Sequence, residues 1–118
     1  MREILKLAAF RGHTEIVKIL APLTDNPNVP NGSGWTPIHG ATFNGHIEIV
    51  KILAPLTENP NASDGFGFTP IHHAAQNGHT EIVKILAPLK ENPNALDGFG
   101  LTPIHHAASY GHTEIVKI

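Results

Sequence analysis

The chain has 118 residues, no cysteine, 41% hydrophobic side chains, and eight basic against ten acidic residues for a formal charge of −2. That length fits one domain or a short array of smaller units, and the apolar fraction is large enough to build a core, which excludes wholesale disorder. The slightly acidic balance excludes a phosphate-neutralising nucleic-acid clamp or a polybasic membrane anchor, and the lack of cysteine removes disulfides and thiolate metal sites.

At the N-terminus, Met1-Arg2-Glu3-Ile4-Leu5-Lys6 puts charge where a signal peptide would build its apolar stretch, so an intracellular location, cytoplasmic or nuclear, is expected. No apolar run approaches the roughly 20 residues that cross a bilayer, and no membrane contact is expected. Laid against itself, the sequence repeats with a period of 33. Gly12, Gly45, Gly78 and Gly111 fall at that spacing, each followed by a histidine (His13, His46, His79, His112) and then by a variant of Thr-Glu-Ile-Val-Lys-Ile. Nine of the ten prolines fall into three such series, and only Pro30 stands outside. Asp64 to Ile85 and Asp97 to Ile118 are identical at 19 of 22 positions; the exceptions are Phe68/Leu101, Gln76/Ser109 and Asn77/Tyr110.

Taken in chain order, residues 1–30 form a first unit in which Glu3-Ile4-Leu5-Lys6 stands where later units have Thr-Pro-Ile-His, with no turn before it. Residues 31–63 and 64–96 are two full units, and 97–118 is a fourth that stops inside its second helix. Within residues 64–96, Asp64-Gly65-Phe66-Gly67 supplies glycines for a tight turn. Thr69 is placed as an N-cap with Pro70 at the first helical position, and this first helix is predicted to run from about Pro70 to Asn77 and end at Gly78. Thr80 is a candidate cap for a second helix whose stripe is Ile82, Val83, Ile85 and Leu86, with Glu81 and Lys84 paired on its solvent side. Pro88 should end that helix or confine it to a distorted last turn. Helices this short do not survive alone, so each pair is expected to stack on the next through Ala74 and Ala75, giving an all-α stack.

The string DGFGFTPIHHAAQNGHTEIVKIL at 64–86 resembles an ankyrin repeat, and Thr-Pro-Ile-His at 36–39, 69–72 and 102–105 is the most diagnostic part of that likeness. The resemblance covers essentially the whole chain. It implies an ankyrin-repeat solenoid of helix-turn-helix units with protruding turn fingers, forming one domain over 1–118 with 1–30 acting as an N-terminal cap. It also implies that Thr36, Pro37, His39, Thr69, Pro70, His72, Thr102, Pro103 and His105 are a structural motif, each histidine bonding its own threonine and the neighbouring turn. Where the family has a glycine-containing stretch after the second helix, this chain has APLTENPNA at 54–62 and APLKENPNA at 87–95, which predicts a stiffer connection.

Nine histidines and ten carboxylates could serve acid–base work. Their recurrence argues otherwise, because an active site is singular whereas scaffolding repeats; neither an enzyme nor a cofactor is expected. The His72-His73 and His105-His106 pairs suggest a rival, a weak nickel or zinc site on neighbouring helices ~8–10 Å apart, but a zinc site wants three or four ligands and Gly40 interrupts the series. Asn31-Gly32-Ser33 and Asn61-Ala62-Ser63 match the glycosylation sequon and are expected to be silent.

All seven aromatic residues avoid the stripe of the second helix. Trp35, Phe66, Phe68 and Phe99 lie at or just after the turns, and Phe10, Phe43 and Tyr110 at the end of the first helix. The resemblance implies that these positions belong to a concave face that grips a partner protein. Carried over residue by residue, that face is Ser33, Trp35, Phe43 and Asn44, then Phe66, Phe68, Gln76 and Asn77, then Phe99, Leu101, Ser109 and Tyr110. The three differences between the last two units fall within this set. The expected function is therefore a non-catalytic protein-interaction module, the alternative being a designed or purely structural scaffold without a partner. The apolar end left by the last unit is also able to stack on another copy.

Overall fold

The computed structural model describes residues 2–24, 34–56, 63–65, 67–89, 97 and 99–117. Its helices form four consecutive pairs: α1 (Arg2–Arg11) with α2 (Thr14–Leu20), α3 (Pro37–Phe43) with α4 (Ile47–Leu53), α5 (Pro70–Asn77) with α6 (Thr80–Leu86), and α7 (Pro103–Ser109) with α8 (Thr113–Val116). There is no strand among the described residues. Single 3-10 turns, Ala54–Leu56 and Ala87–Leu89, follow α4 and α6, each with its proline in the middle, as a residue without an N–H requires.

The starts of α3, α5 and α7 follow from the Thr-Pro-Ile-His motif. Thr69 is extended and caps α5, with Pro70 at the first helical position. The Thr69 N–H donates to Nδ1 of His72 at 3.2 Å, and the His72 N–H returns a bond to the threonine hydroxyl at 3.4 Å. With Nδ1 accepting, Nε2 carries the proton and donates to the carbonyl of Leu101 in the next unit at 3.1 Å. One imidazole thus closes its own helix start and ties down the following turn. Thr102 and His105 repeat the local part of this arrangement.

Gly78 closes α5 at φ 75, and the chain re-enters a helix within two residues. The cap of α6 is His79 and not Thr80, which is the first helical residue. The reversal makes the difference: the His79 carbonyl already accepts from Val83 N–H at 3.1 Å, so the threonine is carried into the first turn. Its ring turns back to the preceding unit and meets the carbonyl of Phe43 at 3.1 Å. His46 does the same to Phe10 at 3.0 Å and His112 to Gln76 at 2.9 Å, so these three histidines of the glycine-histidine series tie units together.

The first helices of the pairs stack as one row and the second helices as another, the first row more closely. Ala8, Ala41, Ala74 and Ala107 are all buried and let the first row approach. Between the rows lies one continuous core that includes Leu5, Ile38, Ile71, Val17, Ile49, Val50, Leu53, Ile82, Val83 and Leu86. Each fully buried Leu or Ile contributes roughly 1.5–3 kcal/mol, which is what holds helices too short to stand by themselves. The resulting body measures 38 × 24 × 22 Å.

Candidate protein interaction surface

The turns that precede α5 and α7 are each organised by an aspartate. The Asp64 backbone N–H donates to the carbonyl of Phe68 at 2.8 Å, and Gly67 N–H donates to the Asp64 carbonyl at 3.0 Å. One carboxylate oxygen accepts from Phe68 N–H at 3.0 Å, while the other accepts from the Trp35 indole at 3.0 Å and from His73 Nε2 at 3.1 Å. Asp97 repeats this with Phe99 N–H at 2.8 Å, Leu101 N–H at 3.0 Å and His106 Nε2 at 2.7 Å. Both carboxylates are buried, with side-chain exposures of 1% and 0%.

The His73 ring is enclosed by Trp35, Phe43 and Phe68, with centroids 5.4, 5.5 and 5.3 Å away. Burial pushes its imidazole below the usual histidine range, and the hydrogen bond and charge of Asp64 only partly oppose that. Burial also pushes the Asp97 carboxyl up, but its bonds from His106, Leu101 and Phe99 together outweigh this and hold it below the ordinary aspartate value.

Of the twelve residues expected to contact a partner, Ser33 and Phe66 lie outside the described residues, as do the asparagines of both sequons and the stretches 57–62 and 90–95. Phe99 (72% exposed), Tyr110 (58%) and Phe43 (38%) are exposed, and so is Ser109. Trp35, Phe68 and Leu101 are half-buried, and the first two serve the stack as well: Trp35 stacks on His39 at 6.1 Å, and Phe68 meets Phe99 at 6.0 Å and His106 at 5.7 Å. Asn44 and Asn77 are exposed, but their amides donate backwards to the carbonyls of Phe10 at 2.8 Å and Phe43 at 3.0 Å. Gln76 is half-buried and reaches the Tyr110 hydroxyl at 3.4 Å.

Exposed surface also gathers outside the face expected from the sequence. Leu7 (51% exposed) and Phe10 (43%) line a groove of about 530 Å³ with Trp35, Thr36 and Gly40, bordered by Glu3 and Lys6. The sequence does carry a signal for it: Glu3, Lys6, Leu7 and Phe10 have the spacing of one helix face, and Gly40 stands where His73 and His106 place rings. A second overlooked signal is paired substitution, since Asp64 and Asp97 come with histidines nine residues on, whereas the second unit has Asn31 and Gly40.

The histidines weighed as metal ligands are otherwise engaged. His73 and His106 are buried with Nε2 on a carboxylate, and no group of three or more His, Asp or Glu able to hold a metal ion occurs among the described residues. None of the described helices is long and apolar enough to cross a membrane.

A family model of ankyrin repeats, three copies long, matches residues 2–64 and 56–118. The chain belongs to the ankyrin repeat family. Ankyrin repeats generally serve as protein–protein interaction modules and non-enzymatic scaffolds, and in this one the Thr-Pro-Ile-His threonines, prolines and histidines do structural work, with His39 and His72 wholly buried. No curated protein matches the chain significantly.

Proposed function

We propose that the chain is a non-catalytic interaction module, folded as one domain over residues 1–118, that binds a partner protein along the concave face formed by its turns and its first row of helices. The observation that carries this reading is the placement of the aromatics: the core is aliphatic, yet Phe43, Phe99 and Tyr110 remain exposed. Exposed rings held by a rigid framework are the side chains that dominate protein interfaces, and they dock without a large ordering cost. The recurring histidines and aspartates are occupied with joining turns and units, which supports a scaffold over a catalyst.

The test uses a partner selected for binding to the wild-type chain. Phe99→Ala and Tyr110→Ala should each weaken it about 30-fold, equivalent to about 2 kcal/mol, while moving the melting temperature by less than about 2 °C. Undiminished binding by both variants, together with loss on Ile19→Lys or Leu23→Lys in the first unit's second-helix region, would reject the concave face.

A further inference from the structure

A place that an imidazole fills in two units stands open in another. His73 lies among the rings of Trp35, His39, Phe43 and Phe68, with centroids 5.4, 6.3, 5.5 and 5.3 Å away. His106 repeats the arrangement with Phe68 at 5.7 Å and His72 at 5.9 Å. One unit before His73 the same position is Gly40, and the counterparts of His39, Phe43 and Phe68 are Lys6, Phe10 and Trp35. All three line the groove of about 530 Å³ that Gly40 borders. The groove is therefore the imidazole's place with its walls kept and its ring removed.

The walls have adapted to that removal. A Cβ on Gly40 would stand 3.2 Å from the Phe10 ring and 3.3 Å from the Phe10 Cβ, so the glycine also lets Phe10 draw in as a wall. The Phe10 and Trp35 rings are 6.4 Å apart and tilted by 50°. What they border has the size of a small-molecule site and takes a ring larger than imidazole.

The charge of the groove is set by Lys6. Its side chain is 15% exposed, against 54–67% for Lys18, Lys51, Lys84 and Lys117, each paired in the same way to a glutamate three residues earlier. Lys6 is drawn in because it stands where His39 and His72 are buried, while Glu3 stays out in solvent at the rim. A cation on such a wall attracts the negative face of an aromatic ring and repels a second cation.

We infer that this groove receives an uncharged aromatic side chain, a tryptophan above all, carried by the partner protein. The chain itself shows twice that a ring belongs in this place. In both precedents the ring comes from the first helix, and with glycine at position 40 the repeat supplies none. Further units on either side would bring their own such position and leave this one open, so the ring comes from another molecule. Tryptophan has the largest apolar face and makes the strongest cation–π contact, whereas an arginine would stack on the walls but meet the charge of Lys6. The inference rests on the interaction-module reading, shares Trp35 with the proposed face, and adds what the partner brings to it.

N-acetyl-tryptophanamide added to the isotope-labelled full chain should shift the indole resonance of Trp35, the chain's one tryptophan, and the Gly40 amide along a saturable curve with a midpoint of about 1–10 mM. Gly40→His restores the imidazole and should weaken that binding at least about tenfold. Phe10→Ala takes away a wall at an exposed position and should also weaken it about tenfold, which keeps the test decisive should the histidine variant unfold. Lys6→Met keeps the stem without the charge and should weaken it about threefold. N-acetyl-leucinamide should bind at least about fivefold more weakly than the tryptophan probe, and N-acetyl-argininamide more weakly still. No saturable shift at Trp35 and Gly40 up to about 50 mM, equal binding of the leucine probe, tighter binding of the arginine probe, or full binding by both Gly40→His and Phe10→Ala would each overturn the inference. Phe99 and Tyr110 lie outside the groove, so a failed titration strikes this site alone and leaves the partner test of those two residues standing.

Discussion

Replacing Asp64 with alanine should destabilise the protein more than any other single polar change at the turns. The buried carboxylate accepts from Phe68 N–H, the Trp35 indole and His73 Nε2, and so joins a turn, the preceding unit and its own helix α5. Hydrogen bonds to a charged acceptor contribute roughly 1.5–3 kcal/mol each, and a buried donor left without its partner costs about 1–3 kcal/mol. Water reaches the half-buried Trp35 and Phe68 groups once the carboxylate is gone, and relief of the buried charge offsets part of the loss. His73 is buried and has no such recourse. The net loss works out at about 3–5 kcal/mol, a large share of the roughly 5–15 kcal/mol typical of a domain. At ~2.1 cal/mol/K per residue, a chain of 118 residues has an unfolding entropy near ~0.25 kcal/mol/K, so the melting temperature should fall by about 12–20 °C. Asp64→Asn retains one acceptor oxygen and should lose only about 1–2 kcal/mol. Urea and thermal unfolding followed by circular dichroism at neutral pH measure both. A loss below about 1 kcal/mol for the alanine variant would refute the view that this carboxylate organises the turn.

Stability should also fall on acidification. The folded His73 pKa is lowered, so the unfolded chain binds the extra proton first, and stability is lost as pH drops below the ordinary histidine value of 6.5. The lowered Asp97 pKa adds a further loss below the ordinary aspartate value of 3.8. His73→Gln keeps a donor for Asp64 without titrating, and urea midpoints between about pH 7 and 5 should flatten; an unchanged slope would assign the effect to other groups. Thr42 buries a hydroxyl that has no hydrogen-bond partner among the described residues, at a position filled by Ala9 and Ala75 in neighbouring units. Thr42→Val should therefore stabilise by about 1 kcal/mol in urea unfolding, and a destabilised variant would mean that the hydroxyl is satisfied. Gly78→Ala and Gly111→Ala meet the same backbone, φ +75 in each, but only the first collides with a ring, that of His112. Both should lose about 1–2 kcal/mol to the left-handed conformation, and Gly78→Ala about 1 kcal/mol more for the displaced imidazole, so equal losses would count against the seating of that ring on the glycine.

Much of the local structure was legible because it depends on near neighbours. Thr69 and Pro70 start a helix, Gly78 reverses it and Pro88 forces a 3-10 turn for reasons contained within a few residues of each. Local sequence favours Thr80 as a cap, whereas the reversal at Gly78 makes His79 the cap and its ring bonds the Phe43 carbonyl, thirty-six residues away. The surface was legible in composition and opaque in division of labour. Aromatics kept out of the second-helix stripe do emerge at the turns and at the ends of the first helices. Nothing in their spacing says that Trp35 gives its indole proton to Asp64, or that Asn44 and Asn77 spend their amides on a neighbouring backbone.

The sequence by itself determined the repeat, the helix pairs and the identity of the core, since a period of 33 with fixed caps and apolar positions admits only units that bury one another. Tertiary structure decided which copies of a given residue are spent and which are available. Ile71 and Ile104, or Gly78 and Gly111, have nearly identical sequence surroundings, and they differ because one of each pair has a unit packed against it and the other does not. Burial is a property of the neighbour in space, and two nearly identical stretches of sequence do not reveal which of them has one.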